Sequence, residues 1–362
     1  MMAGSGRCNL THSGEIKDFF NHYGQHGRFL KTALHAFTHL DLVEFFTSRG
    51  LRTIIDKNGK VFPFTEKSSD VLEVLMEECS RRKVVVKMDE RVTSVKKEGE
   101  LFVVETAHSE FQCLTLVIAT GGLSCPSTGS SGDGYSFARS FQHSIVPLKP
   151  SLSPVFIHFY SMTELAGVSL VNKRISLFRD NKKIAEHSGD IGFTHKGLSG
   201  PGILDFSRYI QAGDVLNINF LDINPDALRL MILQVMERSG KMSVQTFLKS
   251  FDLPRSLARI LLEEAGISPD STMATLTKEF RSILIRNCCE YPFQVERVGG
   301  FNMAMVTTGG VSLDEINPLT LESKLIPGLY FAGEVLDIDG DTGGYNLQAA
   351  FSTGYLAGSA VY

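Results

Sequence analysis

The spacing of hydrophobic residues changes several times along the chain, and the changes divide it into segments of different structure. Residues 15–50 carry apolar residues at helical spacing, and so does the stretch from Asp70 to Cys79. Between residues 83 and 122 the runs VVVKM, RVTSVKK, LFVVET and FQCLTLVIATGG follow one another. They predict a strand, a β-meander with a turn at residues 98–100, and a return to a parallel sheet.

The middle of the chain has a different pattern. Three prolines between Pro147 and Pro154 mark a break in composition. The short alternating runs VFIHF, RISLFRD, DIGFTH and VLNINF then predict a small β-barrel or sandwich. Asp222 to Asn287 is amphipathic and helical in pattern. We therefore expect a discontinuous domain of residues 1–148 and 298–362, a barrel-like insert of residues 149–224 and 288–297, and a helical subdomain of residues 225–287.

The C-terminal segment GLYFAGEVLDIDGDTGGYNLQAAFSTGYLAG is the most informative stretch. Leu329 to Ala332 reads as a buried strand that ends on Gly333-Glu334, and Gly343-Gly344 precede a helical pattern. This order presents free backbone N–H groups and a positive helix end to an anionic or electron-rich ligand. Glu334 is placed to accept hydrogen bonds from a sugar or polyol. A tight turn that only caps a helix is the simpler alternative, but the number of acids and glycines here is unusual for a connector.

Further motifs in the same order resemble one known family. They are GSGRCN from Gly4, ATGG from Ala119, TGSSGDGY from Thr128, FTHKGLSGP from Phe193, and TTGGV from Thr307. With the C-terminal segment, they resemble a bacterial family of NAD(P)/FAD-dependent oxidoreductases that includes aminoacetone oxidases and bile-acid enone reductases. The resemblance runs over nearly the whole chain.

The resemblance implies an α/β fold with a Rossmann-like FAD-binding domain, interrupted by the barrel and the helical subdomain. It implies an FAD-dependent oxidoreductase acting on a small organic substrate, with NAD(P)H as a candidate second cofactor. The cofactor-binding residues that it implies are Gly6, Arg7, Cys8, Asn9, Thr120, Gly121, Gly122, Thr128, Gly132, Asp133, Gly333, Glu334, Gly343, Gly344, Tyr345, Asn346, Leu347 and Gln348.

No residue stands out as a catalytic group. Tyr345, Asp341 and His195 are the candidates, and His195 is the one histidine that lies in a family motif. The GLSGPG that follows it is equally well explained as a turn that caps a helix. His22, His26, His35 and His39 lack a nearby acidic motif, so surface or core histidines are expected rather than a metal site.

One family feature has no counterpart in the sequence. Flavoproteins of this class begin with a strand, a G-x-G-x-x-G turn and a helix, with an acidic residue about 20 residues later. None of these precedes Gly4. Either the chain is the truncated part of a longer protein, which we favour, or it is a variant that has lost its main dinucleotide-binding motif. We expect it to bind FAD weakly by itself.

Composition narrows the function classes. Hydrophobic residues make up 43% and charged residues 21%, which is ordinary for a globular protein. We expect no membrane span or secretory signal, and a cytoplasmic location. Six cysteines without CxxC spacing disfavour zinc and disulfides, and a net charge of −4 argues against nucleic acid as a partner. The alternatives are a flavin-free binding or scaffold relative and a tRNA-modifying flavoprotein.

Overall fold

The computed structural model of the chain describes residues 6–361. Gly4 and Ser5, which open the N-terminal glycine motif, lie outside the described residues. The chain forms two compact units: Met1–Ser151 with Gly300–Tyr362, and Leu152–Gly299. The finer division of the second unit into a barrel and a helical subdomain stays a prediction.

Short strands occur in both units. In chain order they are β1 (Thr11–His12), β2 (Thr53–Ile55), β3 (Lys60–Pro63), β4 (Val92–Glu98), β5 (Leu101–Thr106), β6 (Glu110–Cys113), β7 (Leu116–Ile118), β8 (Ile145–Ser151), β9 (Val155–Ile157), β10 (Ser169–Arg179), β11 (Lys182–Phe193), β12 (Gly197–Ser199), β13 (Val215–Asn219), β14 (Tyr291–Val298), β15 (Val306–Val311) and β16 (Leu329–Phe331).

Helices also occur in both units. They are α1 (Ile16–Phe19), α2 (Lys31–Ala36), α3 (His39–Thr47), α4 (Ser68–Arg81), α5 (Asp133–Ser140), α6 (Pro201–Phe206), α7 (Pro225–Ser239), α8 (Val244–Lys249), α9 (Arg255–Glu264), α10 (Lys278–Cys289) and α11 (Tyr345–Ala360). The 3₁₀ turns are Phe20–His26, Pro126–Thr128, Thr163–Leu165, Ser207–Tyr209, Met273–Thr275, Leu313–Glu315 and Gly333–Val335. No helix of residues 6–361 is long and apolar enough to cross a membrane.

The first unit is built from several small sheets. Strands β7 and β16 pair in parallel, with Phe331 opposite Ile118. Strands β4, β5 and β6 form the expected antiparallel meander, with Gly99 in its first turn. Strands β8 and β15 pair with each other, and β1, β3 and β2 form a fourth small sheet. A core that includes Phe102, Phe331 and Leu329 joins the first three of these sheets to α11.

The strand expected from VVVKM does not form, and that prediction is wrong. Residues 84–88 are outside every strand, and Val85 and Met88 are 80% and 74% exposed. An extended segment becomes a strand only where its N–H and C=O groups find a partner. Among the described residues, β7 is paired with β16 alone and offers these valines no hydrogen-bonded neighbour.

The second unit contains a closed barrel with strand order β10-β11-β12-β9-β14-β13. Alternate residues of β10 and β13 point inward, as the period of a strand requires. Ile175, Leu177, Leu216 and Ile218 are fully buried there. Helices α7 to α10 add buried leucines to the same core, including Leu257 and Leu284. The predicted fold class, α/β with an inserted barrel and helices, is confirmed.

Candidate functional site

The carboxyl ends of β7 and β16 bring two of the predicted glycine motifs together. Because these strands are parallel and paired in register, Thr120–Gly122 and Gly333-Glu334 leave the sheet side by side. The Thr120 side chain also packs against α5, since a Cβ on Gly134 would lie 2.0 Å from Thr120 Oγ1. Ligands of open parallel sheets bind at this edge.

A buried polar cluster lies directly behind the Gly122 backbone. The Thr307 hydroxyl accepts the Leu123 and Ser124 N–H groups at 2.8 and 3.1 Å. The Thr307 N–H donates to Glu334 Oε1 at 2.7 Å. A Cβ on Gly122 would lie 2.4 Å from Thr307 Oγ1 and 2.5 Å from Glu334 Oε1. Only glycine fits between these two side chains.

Glu334 is the most electrostatically unusual group of this cluster. Burial raises its pKa from 4.5 to about 7, although hydrogen bonds from Thr307 act in the opposite direction. Asp339 adds a like charge that also raises the pKa. Further hydrogen-bond donors would stabilise the ionised carboxylate. A ligand with hydroxyl groups, such as the ribityl chain of a flavin, therefore fits this carboxyl group.

The N-terminal loop packs against the start of α11. The Asn9 side-chain amide donates to the Thr11 and Val61 carbonyl groups and accepts the Gly344 N–H at 3.0 Å. The Thr11 hydroxyl donates to Gln348 Oε1 at 2.7 Å. The segments RCN and TGGYNLQ are therefore in contact. That both of them bind the cofactor stays a prediction.

Gly344 has a backbone conformation that only glycine adopts easily, with φ of 96°. A Cβ there would lie 2.6 Å from the Thr11 backbone. We expect Gly344→Ala to lower the free energy of unfolding by roughly 2–4 kcal/mol, the sum of left-handed strain and a backbone clash. Urea denaturation measures this loss.

Gly213→Ala is the matched control for that substitution. Gly213 has a similar φ of 89°, but nothing lies within 4 Å of its added Cβ. Strain alone should then cost about 1–2 kcal/mol. Equal losses in the two variants would show that the contact between Gly344 and Thr11 is unimportant.

Tyr345 begins α11 and its ring lies between two histidines. The His22 ring stacks on it with centroids 3.9 Å apart, and the His12 ring lies on it at 5.3 Å. The Tyr23 hydroxyl donates to the Tyr345 carbonyl oxygen at 2.8 Å. Tyr345 is only 4% exposed.

The loop between Glu334 and α11 carries three aspartates. Asp341 Oδ2 is 3.0 Å from His22 Nδ1, and Asp337 Oδ2 is 3.8 Å from His26 Nε2. Burial raises the pKa of Asp337. The Ser151 hydroxyl donates to Asp339 at 3.3 Å. Asn346 fixes the loop by accepting the Gly340 N–H at 2.8 Å.

Other predicted cofactor residues have structural partners of their own. The Arg7 guanidinium pairs with Glu66 and lies 4.6 Å from the centre of the Phe62 ring. Arg91 forms two hydrogen bonds of 3.0 Å to Asp133 and lowers the pKa of that carboxyl group.

The remaining predicted residues lie in several different places. The Thr128 hydroxyl donates to Cys125 O at 2.8 Å, within its own turn. Burial raises the pKa of the Cys8 thiol to about 11. Leu347 packs in a small core with Leu10. His195 is exposed between β11 and β12 in the second unit. Of GLSGPG, the first three residues form β12, Gly200 is the N-cap residue of α6, and the last two residues lie in α6.

Sequence reasoning missed two residues of the first unit. Thr307 was included in a motif but was given no role, and His22 was assigned to the surface or core. Thr307 could have been selected as the first polar residue of TTGGV. The contact between His22 and Asp341 joins residues 319 positions apart, and no sequence pattern signals it.

Comparisons with known proteins show the family of the chain. Residues 1–360 match the family described as HI0933-like protein Rossmann domain. The chain belongs to this family.

Two relatives named for an enzymatic activity match almost all of the chain. A 3-dehydro-bile acid delta(4,6)-reductase of Clostridium scindens is 32% identical, over 99% of this chain and 88% of the relative. A ribosomal RNA dihydrouridine synthase of Escherichia coli is 32% identical, over 98% of this chain and 86% of the relative. Among solved structures, Escherichia coli quinol fumarate reductase is 14% identical, with a TM-score of 0.42, over 98% of this chain and 62% of that one.

The family resemblance and the Rossmann-like fold are therefore confirmed. This member of the HI0933-like family is an FAD-dependent oxidoreductase. The residues that hold the flavin stay a prediction.

Proposed function

We propose that this family member reduces a carbon–carbon double bond conjugated to a carbonyl group, using FAD. The observation that carries the proposal is the half-buried Glu334 carboxyl beside the Gly122 backbone, at the ends of two parallel strands. A polyol chain is bound there by the carboxylate, and the adjacent glycine backbone allows close approach of the cofactor.

The names of the relatives support the class of reaction. A 3-dehydro-bile acid with delta(4,6) double bonds is a conjugated dienone, and uracil carries a double bond conjugated to its C4 carbonyl. Both reductions add a hydride at the carbon far from the carbonyl group and a proton at the nearer one. The support comes from the reaction that the two names share, because a fold alone does not imply a function.

The residues of the first unit have distinct tasks in this proposal. Glu334 and the Gly121-Gly122 backbone hold the ribityl and diphosphate side of the cofactor. The N-terminus of α11, anchored by Asn9, stabilises negative charge that develops on the ring. FAD supplies the hydride chemistry when it is bound.

The substrate we favour is a small enone, with NAD(P)H as the source of electrons. The net charge of −4 disfavours binding to the phosphates of RNA. A uridine in RNA is the alternative substrate that the Escherichia coli relative suggests. Cytoplasmic location stays a prediction.

Binding of FAD tests the cofactor site. We expect FAD fluorescence to be quenched by the chain, and Glu334→Ala to weaken binding about 10- to 100-fold through the loss of charge-assisted hydrogen bonds. Glu186→Ala, which removes an exposed partner of Lys183, is the control and should bind as the unaltered chain does. No quenching at any FAD concentration would favour the flavin-free scaffold alternative.

Turnover tests the reaction. With excess FAD and NADPH or NADH, we expect cyclohexenone or a 3-oxo-Δ4 steroid to be consumed and a saturated ketone to form. Nicotinamide oxidation without added enone, under anaerobic conditions, is the background. Reduction of uridine in RNA but of no small enone would support the alternative substrate.

A further inference from the structure

His22 and Asp341 form a locked pair at the edge of the glycine turn. His22 lies in the 3₁₀ turn Phe20–His26, and its Nδ1 is 3.0 Å from Asp341 Oδ2. The Asp341 N–H donates to the His22 carbonyl oxygen at 2.9 Å. Two contacts therefore fix the histidine to the loop that leads into α11.

His22 and its stacked neighbour Tyr345 differ in solvent exposure. The two rings stack at 3.9 Å with an interplanar angle of 13°. Tyr345 is 4% exposed, whereas the His22 side chain is 36% exposed. Of these two groups, the imidazole is the one that a substrate beside the turn can reach.

The pairing also determines which ring nitrogen is available. A carboxylate accepts hydrogen bonds, so His22 Nδ1 carries the hydrogen that faces Asp341. The other nitrogen, Nε2, is left to exchange a proton with a ligand or solvent. An imidazole oriented by a carboxylate is a common arrangement for proton transfer.

We infer that His22 is the proton donor of the reduction and that Asp341 positions it. The inference rests on the proposed function. A bound reduced flavin would supply the hydride for the β-carbon of the enone, and the π-electron pair would move toward the α-carbon and the carbonyl oxygen. His22, protonated at both nitrogens, gives its Nε2 proton to the α-carbon and becomes neutral. Its Nδ1 hydrogen stays on the imidazole and is donated to Asp341, and Nε2 regains the lost proton from solvent.

Several titratable groups surround His22 and belong to its electrostatic environment. Asp341 and Tyr345 contact it directly, and Tyr23 is its neighbour in the same turn. The His12 ring lies against Tyr345 as well, and His26 faces Asp337. A pH profile therefore has to be compared between variants rather than interpreted alone.

The decisive experiment separates the two half-reactions. We expect His22→Gln to slow the oxidation of the pre-reduced enzyme by cyclohexenone on the order of 100-fold. FAD affinity and the rate of reduction by dithionite should stay within about 2-fold of those of the unaltered chain. His35→Gln, which alters an exposed histidine of α2, is the matched control and should change neither rate.

Two further measurements distinguish proton donation from a structural role. In His22→Ala, added imidazole should restore part of the oxidation rate and its dependence on pH. In the flavin-free chain, nitrogen NMR should show a proton on His22 Nδ1 that exchanges faster in Asp341→Asn.

The possible outcomes are distinct. An unchanged oxidation rate in His22→Gln, or no rescue by imidazole, would overturn the assignment of His22 while leaving the reductase proposal intact. If no conjugated carbonyl compound oxidises the reduced unaltered enzyme, the proposed function fails, and the assignment of His22 fails with it.

Discussion

Gly122→Ala is expected to weaken FAD binding by several hundredfold or more, corresponding to over about 3 kcal/mol. The added Cβ would lie 2.4 Å from Thr307 Oγ1 and 2.5 Å from Glu334 Oε1. Thr307 is fully buried and its hydroxyl accepts two backbone N–H groups, so it has no room to withdraw. The methyl group therefore has to displace the backbone or the carboxyl group that we assign to the cofactor.

Quenching of FAD fluorescence and urea denaturation would both be measured for this variant. Overpacking should also lower the free energy of unfolding by about 1–3 kcal/mol. Gly358→Ala is the control, because nothing lies within 4 Å of an added Cβ at that helical position. It should be neutral or slightly stabilising. If Gly122→Ala binds FAD as tightly as the control does, the cofactor does not lie where we place it.

Stability of the flavin-free chain should fall as the pH rises through neutrality, because of Glu334. Burial raises its pKa from 4.5 to about 7. The folded state thus keeps a proton that the unfolded chain has already lost. The contribution of Glu334 is fully present below about pH 4.5 and is lost as the pH rises past about 7. The full loss amounts to roughly 3 kcal/mol.

Glu334→Gln should remove most of this pH dependence. Urea denaturation at about pH 5 and about pH 8 measures it, and the variant should show a difference smaller by roughly 2–3 kcal/mol. Burial also raises the pKa of Asp337, which adds a change of the same sign in both proteins.

His143 changes the free energy of unfolding with pH in the opposite direction to Glu334, and it does so at lower pH. Burial lowers its pKa, despite a 3.0 Å contact with Glu315. A buried neutral histidine costs stability as the pH falls below its usual titration range, so its effect is separable from that of Glu334.

An unaltered pH slope in Glu334→Gln would show that the carboxyl group ionises as freely in the folded chain as in the unfolded one.

The sequence by itself determined the family, the fold class and the chemistry of the cofactor. Gly333-Glu334 after a buried run, and Gly343-Gly344 before a helical pattern, are local signals, because strand, turn and helix preferences act over a few residues. The hairpin at Gly99 was predictable for the same reason. The helices between Asp222 and Asn287 also follow from local periodicity.

Only the tertiary structure decided which of these signals meet. Asn9 with Gly344, Gly122 with Thr307, and His22 with Asp341 are pairs far apart in sequence, and nothing local encodes their distances. The same limit explains the wrong strand at residues 84–88. Valines favour extended backbone, but a strand exists only where a second strand pairs with it, and pairing is a property of the whole fold.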